Sequence, residues 1–139
     1  MSKSKSYRDD HKKLLDLIGS LSPMVTSADQ VVKNADSIRM GLSKLAGVLN
    51  MHLVKEDEYV YPKLIEHSDQ KVSKMAKDFQ KEMGGIKGVF GEFHSTWIAP
   101  KKLEGNPVGF LTELTKLVGA VKKRIEREEN ELYKAFDAA

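Results

Sequence analysis

His52 and Glu56 stand four residues apart in the run Met51-His52-Leu53-Val54-Lys55-Glu56-Asp57-Glu58-Tyr59-Val60-Tyr61-Pro62. On an α-helix, which turns about 100° per residue, they fall on adjacent turns about 40° apart, one above the other. An imidazole and a carboxylate so placed can grip iron, manganese or zinc, which accept mixed nitrogen and oxygen donors. Charged helices offer such pairs by chance. The elements that carry the pair must therefore decide whether it points into a core.

Those elements are four amphipathic stretches. The first helix runs from about Tyr7 to Leu21, with His11, Leu14, Leu15, Ile18 and Leu21 at helical spacing and Ser22-Pro23 as a stop. A loop holding Val31 and Val32 follows. The second starts near the N-cap Asn34, carries Ile38, Leu42, Leu45, Leu49, His52 and Glu56, and should bend or end around Pro62. The third runs from about Asp69 to Ile98. It turns Val72, Met75, Phe79, Met83, Ile86, Phe90, Phe93 and Trp97 inward, while Gly84, Gly85, Gly88 and Gly91 weaken it. After a loop from Pro100 to Gly105, Asn106 caps the fourth helix and Pro107 takes its first position; Phe110, Leu114, Leu117, Val121, Arg124, Glu128 and Leu132 form its stripe. Short links and no strand pattern predict an all-α fold, an up-down-up-down antiparallel four-helix bundle.

The two helical hairpins are related by an internal repeat. Adding 72 to a residue number maps Leu14 onto Ile86, Leu42 onto Leu114, Leu53 onto Ile125, Glu56 onto Glu128, Val60 onto Leu132 and Tyr61 onto Tyr133 without a gap. Twenty turns of 3.6 residues preserve the face but do not require Tyr on Tyr, so the agreement points to a pseudo-two-fold with matched half-sites. His11 lies about fourteen residues before the first link at Val25, and His52 about sixteen after Asp36. Both therefore sit roughly 21 to 24 Å from that end of the bundle and share a layer. The offset adds positions 83, 124 and 128, so His11, His52, Glu56, Met83, Arg124 and Glu128 converge.

One His from the first helix and His-x-x-x-Glu from the second, repeated in the third and fourth, is the pattern of the hemerythrin-like (HHE cation-binding) domains. The chain resembles that family over nearly its whole length, most closely from His52 to Pro62. The resemblance implies a four-helix bundle around a non-haem, usually di-iron, centre bridged by two carboxylates. Members bind dioxygen, sense oxygen, iron or redox state, or handle iron and reactive oxygen or nitrogen species. Two positions depart from the pattern: Met83 replaces the third helix's histidine, and Arg124 the fourth's. A thioether is a poor ligand for iron, and a guanidinium cannot shed its proton to ligate anything.

The resulting expectation is a reduced site with one iron more readily than two, held by His11, His52, Glu56 and Glu128. Two buried carboxylates need cations beside them, since an unpaired buried charge costs several kcal/mol. Arg124 is expected to pair with Glu56 and Glu128 in place of the second metal. The alternative is a metal-free structural or partner-binding bundle held by that same ionic network. Oxygen, iron or redox sensing is the expected work, with dioxygen or another small ligand as a partner. A small oxidase or peroxidase stays open, although no nucleophile triad or phosphate loop implies turnover.

Blander roles are expected elsewhere: Met83 as core filler, His94 as structural, His67 as a loop or capping residue, Tyr59 as aromatic packing, and Tyr61 and Tyr133 as matched packing residues.

The 139 residues suit one domain, residues 1–139, with a frayed basic end over 1–6. The absence of cysteine excludes disulfides, zinc–cysteine sites and iron–sulfur clusters, and fits a reducing, cytoplasmic setting. No apolar run approaches the roughly 20 residues of a membrane span, and no leader pattern opens the chain. A balance of 23 basic against 20 acidic residues, scattered along helical faces, argues against a nucleic-acid partner.

Overall fold

The structure, a computed structural model, describes residues 3–99 and 101–139, and at 83 and 84 the backbone alone. Every regular element among the described residues is helical. Four are long: α1 (Lys5–Leu21), α3 (Ala35–Lys55), α5 (Gln70–Trp97) and α7 (Pro107–Arg127). Short helices fill what the sequence reads as loops: α2 (Ala28–Lys33) and α6 (Lys102–Gly105). The α2 segment escaped notice because its signal is a cap more than a stripe. Ser27 accepts a hydrogen bond from the Gln30 backbone N–H at 3.2 Å, and Val31 is then buried while Val32 stays exposed.

Neither α3 nor α7 stops at its carboxylate. A π-helical turn, Glu56–Val60, joins α3 to α4 (Tyr61–Ile65), and a second, Glu128–Leu132, joins α7 to α8 (Tyr133–Ala138). Pro62 was expected to bend or end the second helix; it sits in the first turn of α4 instead, where a missing N–H costs little. The proline does not cause the wide turn, because Lys134 holds its place in the second copy. Adding 72 to the bounds of α3 gives those of α7, and the same offset superposes the two π turns. The duplication read from side chains is thus present in the backbone.

Helix α1 packs on α3, α3 on α5, α5 on α7 and α7 on α1, the closed cycle of a helical bundle. Two apolar clusters fill it. The larger holds Leu14, Ile38, Leu42, Phe90, Phe110 and Leu114; the smaller, at the end formed by the π turns, holds Tyr7, Phe79, Tyr61, Tyr133, Leu132 and Phe136. Each fully buried Leu, Ile or Phe contributes about 1.5–3 kcal/mol. Leu15, placed on the inner stripe of the first helix, is 40% exposed, since it lies at the stripe's edge.

Of the N-terminal end expected to fray, the described part is tied to the last helix, and residues 1 and 2 lie outside the described residues. The Ser4 backbone N–H and hydroxyl both donate to Asp137, each at 2.7 Å, and Lys5 and Ser6 already belong to α1. No helix among the described residues is long and apolar enough to cross a membrane.

Candidate metal centre

Between the two apolar clusters lies one polar layer. His11 from α1, His52 and Arg124 from the last turns of α3 and α7, and Glu56 and Glu128 opening the π turns are all buried. The imidazoles of His11 and His52 face each other, with ring centroids 4.8 Å apart and their Nε2 atoms 3.2 Å apart. Glu56 Oε1 lies 3.0 Å from His52 Nε2, and Glu128 Oε1 lies 3.2 Å from His11 Nε2 and 3.8 Å from His52 Nε2. The structure therefore brings His11, His52, Glu56 and Glu128 together, as the spacing and the shared layer predict.

The outer nitrogen of each ring is fixed by a carboxylate that sequence reasoning missed. His11 Nδ1–H donates to Glu129 at 2.9 Å, and His52 Nδ1–H donates to Asp10 at 3.1 Å. Each acid is in turn held by a cation: Arg8 for Glu129, and Lys55, at 2.7 Å, for Asp10. A carboxylate behind the imidazole sets the tautomer, aims Nε2 inward and raises its basicity. The signal was the position of each acid beside an inward residue. Nothing in the sequence alone separates such an acid from a solvated one.

Tyr133 was also missed as a member of the layer. Its hydroxyl lies 3.0 Å from His11 Nε2, 3.1 Å from His52 Nε2 and 3.4 Å from Glu56 Oε2. On a straight α-helix a residue five after Glu128 points about 140° away from it. The π turn, with hydrogen bonds to the fifth residue, brings Tyr133 back toward that face. The same turn in the first copy buries Val60 and Tyr61 and swings Tyr59 outward to 63% exposure. The aromatic packing expected of Tyr59 is therefore absent. The match of Tyr61 with Tyr133 was the available clue.

Arg124 requires a correction. It forms no ion pair with Glu56 or Glu128; its guanidinium donates to Glu82 Oε2 at 2.8 Å and to the Phe79 carbonyl, and lies 4.1 Å above the Phe79 ring. The side chain is long enough to pass the layer and reach α5, where an exposed acid and a carbonyl offer better-solvated partners than two sunken carboxylates. The ionic network on which the metal-free alternative rested does not form. The reading of Met83 as core filler concerns a side chain outside the described residues. His67 Nδ1 accepts from the Asp69 backbone N–H at 3.0 Å, as expected of a capping residue, and the His94 ring lies 3.4 Å from the Ser43 hydroxyl.

The electrostatics follow from this arrangement. Burial pushes the Glu56 carboxyl well above its usual range, and the charge of Glu128 adds to the effect. Burial opposes ionisation of Glu128 too, but hydrogen bonds with Glu56, His11 and His52 outweigh it and hold that carboxyl below the usual range. The pair titrates as a unit. Burial would lower His52, yet Glu128 and Glu56 beside it raise its pKa from 6.5 to about 10. Even so, Glu128 Oε2 is buried with no hydrogen-bond partner among the described residues, and Glu56 Oε1 has only the off-axis contact with His52. Oxygens so poorly partnered carry a desolvation cost that a cation would remove.

The donor set fits a metal. His11, His52 and Glu128 each offer one ligand atom, all within 4.8 Å of one another, and Glu56 adds a carboxylate. The cavity beside them is only about 10 Å³, roughly one small sphere. A helical bundle with a buried His/Glu cluster of this kind belongs to the class of bundle metal-binding proteins. Residues 3–136 match the hemerythrin HHE cation binding domain, and the chain belongs to that family. No curated protein and no solved structure matches the chain.

Proposed function

We propose that the chain holds one metal ion, iron, on His11, His52, Glu56 and Glu128, and uses it to bind or sense oxygen, iron or redox state. The observation that carries this reading is the pair of imidazoles whose Nε2 atoms converge 3.2 Å apart, each backed by a carboxylate, beside the buried carboxylates of Glu56 and Glu128. Iron suits two nitrogens and two carboxylates with no sulfur, as manganese does, and the family favours iron. One ion is expected because a guanidinium occupies the matched position of the second half-site and cannot ligate.

Iron so bound supplies one-electron and Lewis-acid chemistry. The protein's own residues do the rest. Glu129 and Asp10 orient the histidines, Glu56 and Glu128 set the charge of the site, and the apolar clusters on either side exclude water. The same reading takes residues 1–139 as a single up-down-up-down domain working in the cytoplasm, with a small ligand such as dioxygen as its partner and neither nucleic acid nor membrane.

Metal per chain after growth in iron-supplemented medium, measured with the absorption spectrum, tests the proposal. About one iron per chain is expected. Two irons with oxo-bridged bands would overturn the single-metal site, and no metal would return the chain to a structural role.

A further inference from the structure

We propose that the Tyr133 phenol oxygen is itself a metal ligand, joining His11, His52, Glu56 and Glu128, and that its repeat mate Tyr61 is not. The inference rests on the metal-centre reading above. It starts from a crowd of potential ligand atoms around one hydroxyl. The Tyr133 hydroxyl faces His11 Nε2 at 3.0 Å, His52 Nε2 at 3.1 Å and Glu56 Oε2 at 3.4 Å, and carries one hydrogen among the three. His11 already donates from Nδ1 to Glu129, so in its neutral form its Nε2 has only a lone pair to offer. Glu128 Oε1 adds another acceptor 3.2 Å from the same nitrogen. Potential ligand atoms crowded this closely can all be held at once by one cation.

The spacing agrees. Donors bound at about 2.1 Å to one ion and at right angles to each other lie about 3.0 Å apart. Tyr133 Oη and the two Nε2 atoms form a triangle with sides of 3.0, 3.1 and 3.2 Å. The π turn Glu128–Leu132 brings the phenol to this place, and π turns recur at functional sites. Arg8 sits 5.4 Å from the Tyr133 ring centre and steadies the ring from its outer side.

Tyr61 is the internal control. It follows an equal π turn at the matched position and is equally buried, but its hydroxyl has no hydrogen-bond partner among the described residues. In its half-site the position of His52 is taken by Arg124. Identical backbone and identical residue type therefore give one tyrosine two imidazoles and the other none.

On ligation the Tyr133 O–H bond breaks heterolytically. The oxygen's electron pair goes to the ion and the proton leaves to solvent, with no change in oxidation state. The test uses the full chain loaded with ferric nitrilotriacetate, and reads iron per chain, the visible tyrosinate-to-iron charge-transfer band and phenolate modes in resonance Raman. Wild type should show the band with about one iron. Tyr133→Phe should lose the band and weaken iron binding by about tenfold or more, while Tyr61→Phe keeps the band and an affinity within about twofold. Circular dichroism of both variants checks that they fold. Iron bound without a tyrosinate band, or a band that persists in Tyr133→Phe, would overturn the assignment to Tyr133 and leave the metal site standing. A wild-type chain that takes up no iron would overturn both.

Discussion

His52 and Arg124 occupy matched positions one turn before Glu56 and Glu128, on helices of equal length followed by equal π turns. His52 turns its Nε2 toward the centre and is braced from behind by Asp10; Arg124 runs past the centre and spends its hydrogen bonds on Glu82 and the Phe79 carbonyl. The helices that pair with them differ as well. Helix α1 presents His11 and packs closely on α3, whereas α5 carries Gly85, Gly88 and Gly91 and leaves an open groove of about 660 Å³ against α7. A shared backbone plan therefore does not preserve a shared chemistry. One half keeps both imidazoles, and the other supplies Glu128 and Tyr133 to the same polar layer.

The sharpest way to break this comparison is to remove each member of the matched pair. His52→Ala should weaken iron binding by about 100-fold or more, or about 2.7 kcal/mol, in a chelator competition. Arg124→Ala should leave binding within about threefold. Equal losses would mean that both halves still hold metal. In the metal-free chain Arg124→Ala acts on stability instead, because it strips a buried side chain of two charge-assisted hydrogen bonds and its contact with the Phe79 ring. A loss of about 2–3 kcal/mol in denaturant unfolding is expected.

Outer-sphere support sharpens the contrast further. Glu129→Gln and Asp10→Asn should each reduce iron affinity by about tenfold with little change in melting temperature, whereas Glu82→Gln, which touches only the Arg124 side, should not alter it.

A pH titration reads the same asymmetry. His52 is raised from 6.5 to about 10 in the metal-free fold, so the stability it supplies is fully present below pH 6.5 and is lost as pH rises through 10. The metal-free melting temperature should fall by several degrees across that window, and iron loading should flatten the curve because the metal replaces the proton. The smallest effect belongs to α5. Gly88→Ala adds a Cβ into open space on a helix, and should stabilise the chain by about 0.5–1 kcal/mol without touching the metal.

How far the sequence could be read follows from the period of the helix. The stripes, the offset of 72 and the common height of His11 and His52 all rest on 3.6 residues per turn, and they hold as far as Glu56 and Glu128. Beyond those residues the backbone widens to a π turn and the period fails. For that reason Tyr59 faces solvent and Tyr133 enters the site. Arg124 was placed in the correct layer but given the wrong partners. A face assignment says where a Cβ points and not where a guanidinium several bonds further out comes to rest.

The sequence alone determined the helical class, the correspondence between its two halves and the layer in which His11, His52, Glu56 and Glu128 meet, because these follow from residue type and periodicity along single helices. Only the tertiary structure decided which carboxylate backs which histidine, that Arg124 turns to α5, and that one of two matched tyrosines meets the imidazoles. Those choices depend on contacts between helices far apart in sequence, and on a local change of helical pitch that side-chain chemistry does not encode.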